Sequence, residues 1–315
     1  MVAAFAARAM QRLVLRAAGR PEEKRPEAFR LDRFPEFPRH TRELVVPTSV
    51  APARVVVYLP TADEAGQAPA VHVNFHGGGF VMPLTEMDDW FCRFVAAEAQ
   101  VAAINVDYAL APRHKFPAPP RQAFEVVLWI AQHGAEQGWD GSRLSVGGQS
   151  AGGSLAAAVA RQALEQGGPA IALQVLHYAV LDLATELGDK PSAVSKSMLK
   201  PWMGAVYNGA YIPDRRARTD RLASPANAAD VADLAGIAPA LVITAEYDRL
   251  KTEAGRYAER LRKAGALIDL HDVRGADHGY DVKHYETARD IYALIARHVR
   301  RATASETSGP TWPTE

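Results

Sequence analysis

The chain has 315 residues, 48% hydrophobic and 23% charged, with 36 basic side chains balanced by 36 acidic ones. That length and apolar content suit one large core, and the zero formal charge argues against nucleic acid as a partner. A single cysteine, Cys92, excludes an intramolecular disulfide, and no uncharged apolar run reaches the roughly 20 residues of a membrane span.

Residues 1–40 begin with a helical pattern and end in a Pro-rich connection. Arg8, Arg12, Arg16 and Arg20 recur every four residues with no acid before Glu22. Targeting peptides and interfacial membrane helices share that pattern, but the stretch lacks a hydrophobic core and a cleavage site, and it reads as a solvated helix. Apolar runs at 42–46 and 53–59 have no helix between them and predict an antiparallel hairpin at a sheet edge. Short buried strands are expected at 71–75 (VHVNF) and 143–146 (RLSV), and a helix at 154–166. Further apolar runs at 101–106, 171–180, 239–245 and 266–273 alternate with helical stretches at 86–100, 120–133, 252–264 and 284–300. Such alternation implies an α/β chain with a mostly parallel sheet covered by helices on both faces. Cys92, inside DDWFCRFVAAEA, is expected to be a buried apolar residue. Residues 182–220 interrupt the sheet between the sixth and seventh strands, and the Ser, Thr, Gly and Pro of 303–315 predict a disordered tail.

Two motifs carry chemistry. HGGGF, His76 to Phe80, follows an expected strand, and successive glycines let backbone N–H groups turn toward a reacting carbonyl. About seventy positions later GQSAGG, Gly148 to Gly153, lies between an expected strand and helix, where small residues permit the strained turn that presents Ser150. A serine nucleophile needs a base, and the base needs an acid to hold its tautomer. Asp248 closes the strand PALVITAEYD, at the strand end where open parallel sheets build ligand sites. Glu246 is its rival, but two residues earlier it should still lie within the strand. His278, in ADHGY, follows the next strand, whereas His271 sits inside that strand and His284 opens a helix.

HGGGF, the DYALAPRHKFPAP segment from Asp107 to Pro119, GQSAGG, EYD and DHG stand in the order seen in the bacterial hormone-sensitive-lipase-like esterases, also called family IV lipolytic enzymes. The resemblance covers about residues 40–300. It implies an α/β-hydrolase core with a Ser150, Asp248 and His278 triad, an oxyanion hole of the Gly78, Gly79 and Ala151 amides, and a structural His76 that orients the glycine loop. It implies a cap from 1–40 and 182–220 over a core of 41–181 and 221–302, with Phe5, Leu13, Val14 and Leu15 packed over the cleft. Met198, Leu199, Trp202, Met203, Val206, Tyr207 and Tyr211 give an apolar helical face; Trp202, Met203, Val206 and Tyr207 are the pocket candidates. Three departures stand out: Gln149 where the family usually has Asp, Ala109 and Arg113 in place of an Arg and a Glu, and Arg249 to Thr252 in place of Pro-Leu-Arg-Asp.

The expected reaction is two-step acyl transfer on short- to medium-chain carboxylic esters, with no metal or cofactor. An amidase or formamidase on the same site, or a non-catalytic ligand receptor on the same fold, are the alternatives. The expected partners are a small ester and, at most, a second copy as a homodimer, and the expected location is cytoplasmic.

Overall fold

The computed structural model describes residues 2–60 and 68–305. Helix α1 (Val2–Ala18) precedes strands β1 (Thr41–Val46), β2 (Ala53–Tyr58), β3 (Ala70–Phe75), β4 (Val101–Asp107), β5 (Leu144–Gln149), β6 (Ile171–His177), β7 (Ala240–Ala245) and β8 (Leu267–Val273). Helices α2 (Asp89–Ala99), α3 (Ala118–Gln132), α4 (Gly134–Gln137), α5 (Ala151–Gln166), α6 (Pro201–Tyr211), α7 (Lys251–Lys263) and α8 (Tyr285–Ala302) lie between or after them.

The eight strands form one sheet in the order β1-β2-β4-β3-β5-β6-β7-β8. β2 is antiparallel to β1 and to β4, so the expected hairpin sits at the edge, and the remaining pairs are parallel. Central strands such as β3 and β7 are buried along their whole length, as a sheet covered on both faces requires. Alternate side chains divide between the two layers. Ala102, Ile104 and Val106 join the core built with α3, α5 and α7, while Val101 and Ala103 join that of α2 and α8, where Cys92 is buried.

This topology fixes where a ligand can bind. The chain leaves β3 for β4 on one side and later returns to place β5 on the other. The carboxyl ends of β3 and β5 therefore flank the point where strand order reverses, the crevice that open α/β sheets use.

Several boundaries differ from the sequence reading. α5 begins at Ala151, three residues early and through two glycines, because packing against β3 outweighs their poor helix propensity. Leu199 and Met198 precede α6 instead of belonging to it. The expected packing of α1 over the cleft is not found: Phe5, Leu13 and Leu15 are 78%, 64% and 59% exposed, and the residue α1 buries is Ala7. Small side chains face inward because α1 lies close on α6, with Ala3 against Gly209. Gln11 fastens it by donating to the carbonyls of Val81 and Ala111, both at 2.9 Å. The expected disordered tail, 303–315, is ordered at its first residue. Thr303 is buried, bonded through Oγ1 to Val299 and contacted by Arg143; residues 306–315 lie outside the described residues. No described helix is long and apolar enough to cross a membrane.

One buried cation ties the N-terminal segment to the sheet layer. Arg93 on α2 pairs with Asp89 at 2.8 Å and donates to the carbonyls of Leu31, Arg33, Phe34 and Phe37. Replacing it leaves four carbonyls without that donor, so Arg93→Met should cost roughly 3 kcal/mol of stability. Urea unfolding measures the cost, and limited proteolysis should show new cleavage between residues 25 and 40; a segment as protected as in the parent would contradict this anchoring.

Candidate active site

At the end of β3 the chain enters the glycine loop. His76 is buried, its ring stacked on Tyr108 at 4.3 Å, with Nδ1 against the Gly77 carbonyl at 2.7 Å. The Tyr108 hydroxyl donates to the His76 carbonyl at 2.9 Å. These contacts hold the loop, and His76 is not among the residues that line the cleft at Ser150. Among the described residues the amides of Gly78 and Gly79 donate to no protein acceptor, and Ala151, the first residue of α5, has an amide that no helical carbonyl can take.

The turn after β5 is set by contact. A Cβ at position 152 would lie 1.7 Å from the carbonyl oxygen of Phe75, so only glycine lets α5 start against β3. Ser150 pays for that approach with φ 55° and ψ −118°, a conformation costing roughly 1–3 kcal/mol for a side chain other than glycine. Its amide donates to the His177 carbonyl at 2.9 Å, which clamps the turn.

The structure brings Ser150, His278 and Asp248 together. Ser150 Oγ lies 3.0 Å from His278 Nε2, and His278 Nδ1 lies 2.7 Å from Asp248 Oδ2. That geometry suits a neutral ring donating from Nδ1 to the carboxylate and accepting the serine proton at Nε2. Asp248 Oδ1 accepts the Leu250 amide at 2.9 Å, so the departure from the family pattern after Asp248 leaves its orientation intact. Of the four buried imidazoles, His72, His76 and His177 are pushed down to about 4 by burial. Burial also pulls His278 down, but Asp248 together with Asp277 and Asp281 outweighs it and the net shift is upward. Glu246 is not within the strand as expected: it stands one residue past β7 and accepts the Gly275 amide at 2.7 Å, steadying the loop before His278.

The departure at position 149 has a partner that sequence reading missed. Gln149 Nε2 donates to Asp88 Oδ1 at 2.7 Å, and Asn74 Nδ2 donates to Asp88 Oδ2 at 2.7 Å. Asp88 is buried beside the cleft, and burial raises it to about 7 despite those two donors. An Asp at 149 would set a second carboxylate against the first; Gln supplies the proton donor instead. At Ala109 the backbone is held by Gln122, whose Oε1 accepts the Ala109 amide while its Nε2 donates to the Ala51 carbonyl.

Ser150 opens onto two lobes of about 110 and 60 Å³. Asp88, Trp90, Tyr178 and His278 are among the residues lining the larger, and Leu183, Leu187, Lys190 and Asn208 among those lining the smaller. Leu199 and Tyr207 line both, and the Tyr207 ring lies so close to Gly79 that a Cβ there would be 2.5 Å from it. Of the pocket candidates, Met203 and Tyr207 line the cleft. Trp202 and Val206 do not: Trp202 is 58% exposed, and Val206 packs on the main core. Tyr178 and Asp281 were not foreseen. The Tyr178 ring packs edge-on to His278 at 4.8 Å, and its hydroxyl donates to Asp281 at 2.8 Å. No sequence motif marks either residue. No group of three or more His, Cys, Asp and Glu among the described residues is placed to hold a metal ion.

The family model described as alpha/beta hydrolase fold matches residues 72–282. Esterase LipI of Mycobacterium tuberculosis is 34% identical over 264 residues, 80% of this chain and 79% of that protein. Carboxylesterase NlhH of the same species is 35% identical over 216 residues, 67% of this chain and 66% of that one. Among solved structures, an esterase of Pyrobaculum calidifontis superposes with a TM-score of 0.78 at 29% identity, covering 96% of this chain and 92% of that one.

The contact of Gln149 with Asp88 makes a double substitution informative. Gln149→Asp should lower stability by roughly 2 kcal/mol, about 3 °C in Tm for a chain of this size, through like-charge repulsion in a buried site. Adding Asp88→Asn removes one charge and should restore most of it. Calorimetry on the four variants of the cycle checks this, and additive losses would show that the two side chains do not communicate.

Proposed function

We propose roles for the residues of this site, in a chain that belongs to the hormone-sensitive-lipase-like, family IV carboxylesterases of the α/β-hydrolase superfamily and hydrolyses carboxylic esters. Ser150 Oγ attacks the ester carbonyl carbon while His278 Nε2 takes its proton. The oxyanion settles against the amides of Gly78, Gly79 and Ala151, the last aided by the positive end of α5. Collapse expels the alkoxide, which takes the proton from His278 and leaves as the alcohol. Water then attacks the acyl-serine, giving its proton to His278; the acid is released and Ser150 is restored. Asp248 stays ionised, holding Nδ1–H and stabilising the imidazolium. Hydrolysis of esters removes the receptor alternative.

The observation that carries this assignment is the unbroken line from Ser150 Oγ through His278 to Asp248 at 3.0 and 2.7 Å, in a cleft that also presents two undonated amides. Ser150→Ala and His278→Ala should each lower kcat by on the order of 10⁴ with folding intact. Since His278 acts when neutral and its pKa is raised, kcat/KM should climb with increasing pH through an apparent pKa above about 6.5. A folded Ser150→Ala enzyme that kept half its rate would end the assignment, as would a profile flat from about pH 5 to 9.

Size discrimination follows from Tyr207. The smaller lobe holds a short acyl group, and the ring shared by both lobes divides them. Tyr207→Ala should therefore shift the acyl-length optimum of p-nitrophenyl esters upward by two or more carbons, with kcat on the acetyl ester changed less than about tenfold. An unchanged length profile would show that the ring does not set it.

A further inference from the structure

The outward face of α1 has no role in the site and is unlike an ordinary solvated helix surface. At 100° per residue, Ala3, Ala7, Gln11 and Val14 fall on the side turned to α6 and the glycine loop. On the other side Val2, Phe5, Leu13 and Leu15 stand exposed among Arg8, Arg12 and Arg16, with exposed Arg20 just beyond. α1 contains no acid. Among the described residues none of these four arginines joins an ion pair; the nearest carboxylate in sequence, Glu22, pairs with Arg25 and accepts the Leu31 amide. Exposed large apolar side chains and unpaired guanidiniums thus share the outer half of the helix, with Phe5 among Arg8, Arg12 and Arg16 and with Leu13 and Leu15 at its two margins, about 160° apart.

We propose that this outer half docks on an anionic lipid surface, with Arg8, Arg12 and Arg16 against the headgroup phosphates, Phe5 inserted between them toward the acyl boundary, and Leu13 and Leu15 resting at the interface on either flank. Charge complementarity selects this occupant. A second copy meeting the face across a two-fold axis would set arginine against arginine. An acidic protein would satisfy the charges but give no reason for three exposed large apolar residues beside them. The helix lies on the surface and does not span it. Because α1 packs on α6, and α6 carries Met203 and Tyr207, docking holds a cleft-lining helix about one helix spacing, roughly 10 Å, above the membrane, where esters dissolved in lipid concentrate. The docking surface does not depend on the roles assigned to Ser150 and His278, so hydrolysis of a water-soluble ester serves as an independent control.

Co-sedimentation of the full chain with vesicles of phosphatidylcholine, alone or with about 30% phosphatidylglycerol, tests it at about 0.1 M and about 0.5 M salt. Binding should require phosphatidylglycerol and weaken at high salt. Each guanidinium near an anionic surface contributes about fivefold, so Arg8→Gln/Arg12→Gln/Arg16→Gln should lower partitioning by on the order of a hundredfold, whereas the corresponding Lys variant should keep it. Phe5→Ser/Leu13→Ser/Leu15→Ser should also abolish binding, with turnover of soluble p-nitrophenyl acetate unchanged in every variant. The proposal is overturned by equal binding to neutral vesicles, by binding that survives either triple substitution, by a concentration-dependent dimer that the Ser variant dissolves, or by polyglutamate capture that is as tight as vesicle binding and indifferent to the Ser changes.

Discussion

The site depends on how closely the first turn of α5 approaches the end of β3. Gly152 lies where a Cβ would overlap the Phe75 carbonyl, and Gly148 is nearly as crowded by the same oxygen. Contact that tight removes the slack in the chain between them. Ser150 is driven into a backbone region that side chains avoid, and its hydroxyl is lifted off the sheet toward His278. The same approach sets the start of α5 beside the loop that follows Phe75, so two amide-bearing segments from distant parts of the sequence converge on one point. Strain of a few kcal/mol is sustained because a sheet buried on both faces cannot relax locally.

Around that point the protein solves an electrostatic problem with neutral donors. Asp88 and Asp281 are buried near the cleft; the first is met by Asn74 and Gln149, the second by the hydroxyls of Tyr178 and Tyr292. No arginine or lysine side chain lies against either carboxylate among these contacts. A cation there would compete for Asp248 or draw the proton balance of His278 downward, since a nearby positive charge disfavours imidazolium. With carboxylates in its surroundings and amide and phenol donors satisfying them, His278 stays more basic than its buried neighbours. Gln149 belongs to this arrangement: its identity is dictated by Asp88, not by the reaction.

The strand and helix order was legible because period and length carry it, and the glycine motifs were legible because their chemistry is local. Asp248 and His278 could be placed from strand ends alone; Glu246, expected within the strand, falls just outside β7 and is occupied by the Gly275 amide. What sequence could not supply were contacts closed across the fold. Asp88, Tyr178 and Asp281 sit 62, 28 and 131 positions from Ser150 in the numbering of the chain, and nothing in their neighbours announces that they meet. α1 misled for a different reason. Its apolar residues suggested an inward face, but α1 comes so close to α6, with Ala3 against Gly209, that Ala3 and Ala7 turn in and Phe5 turns out.

That reversal matters for how the cleft is bounded. On one side α6 meets Leu187 of the preceding loop at Gly204 and sets Tyr207 against Gly79, and it receives Ala3 of α1 at Gly209. Small residues on a helix permit close approach, and a closely packed seam resists compression. Gln11 adds a second link, since the carbonyls it holds belong to Val81, just past the glycine loop, and to Ala111. α1 is therefore joined to the surroundings of the cleft at two places, the helix that carries Tyr207 and the backbone just past the glycine loop.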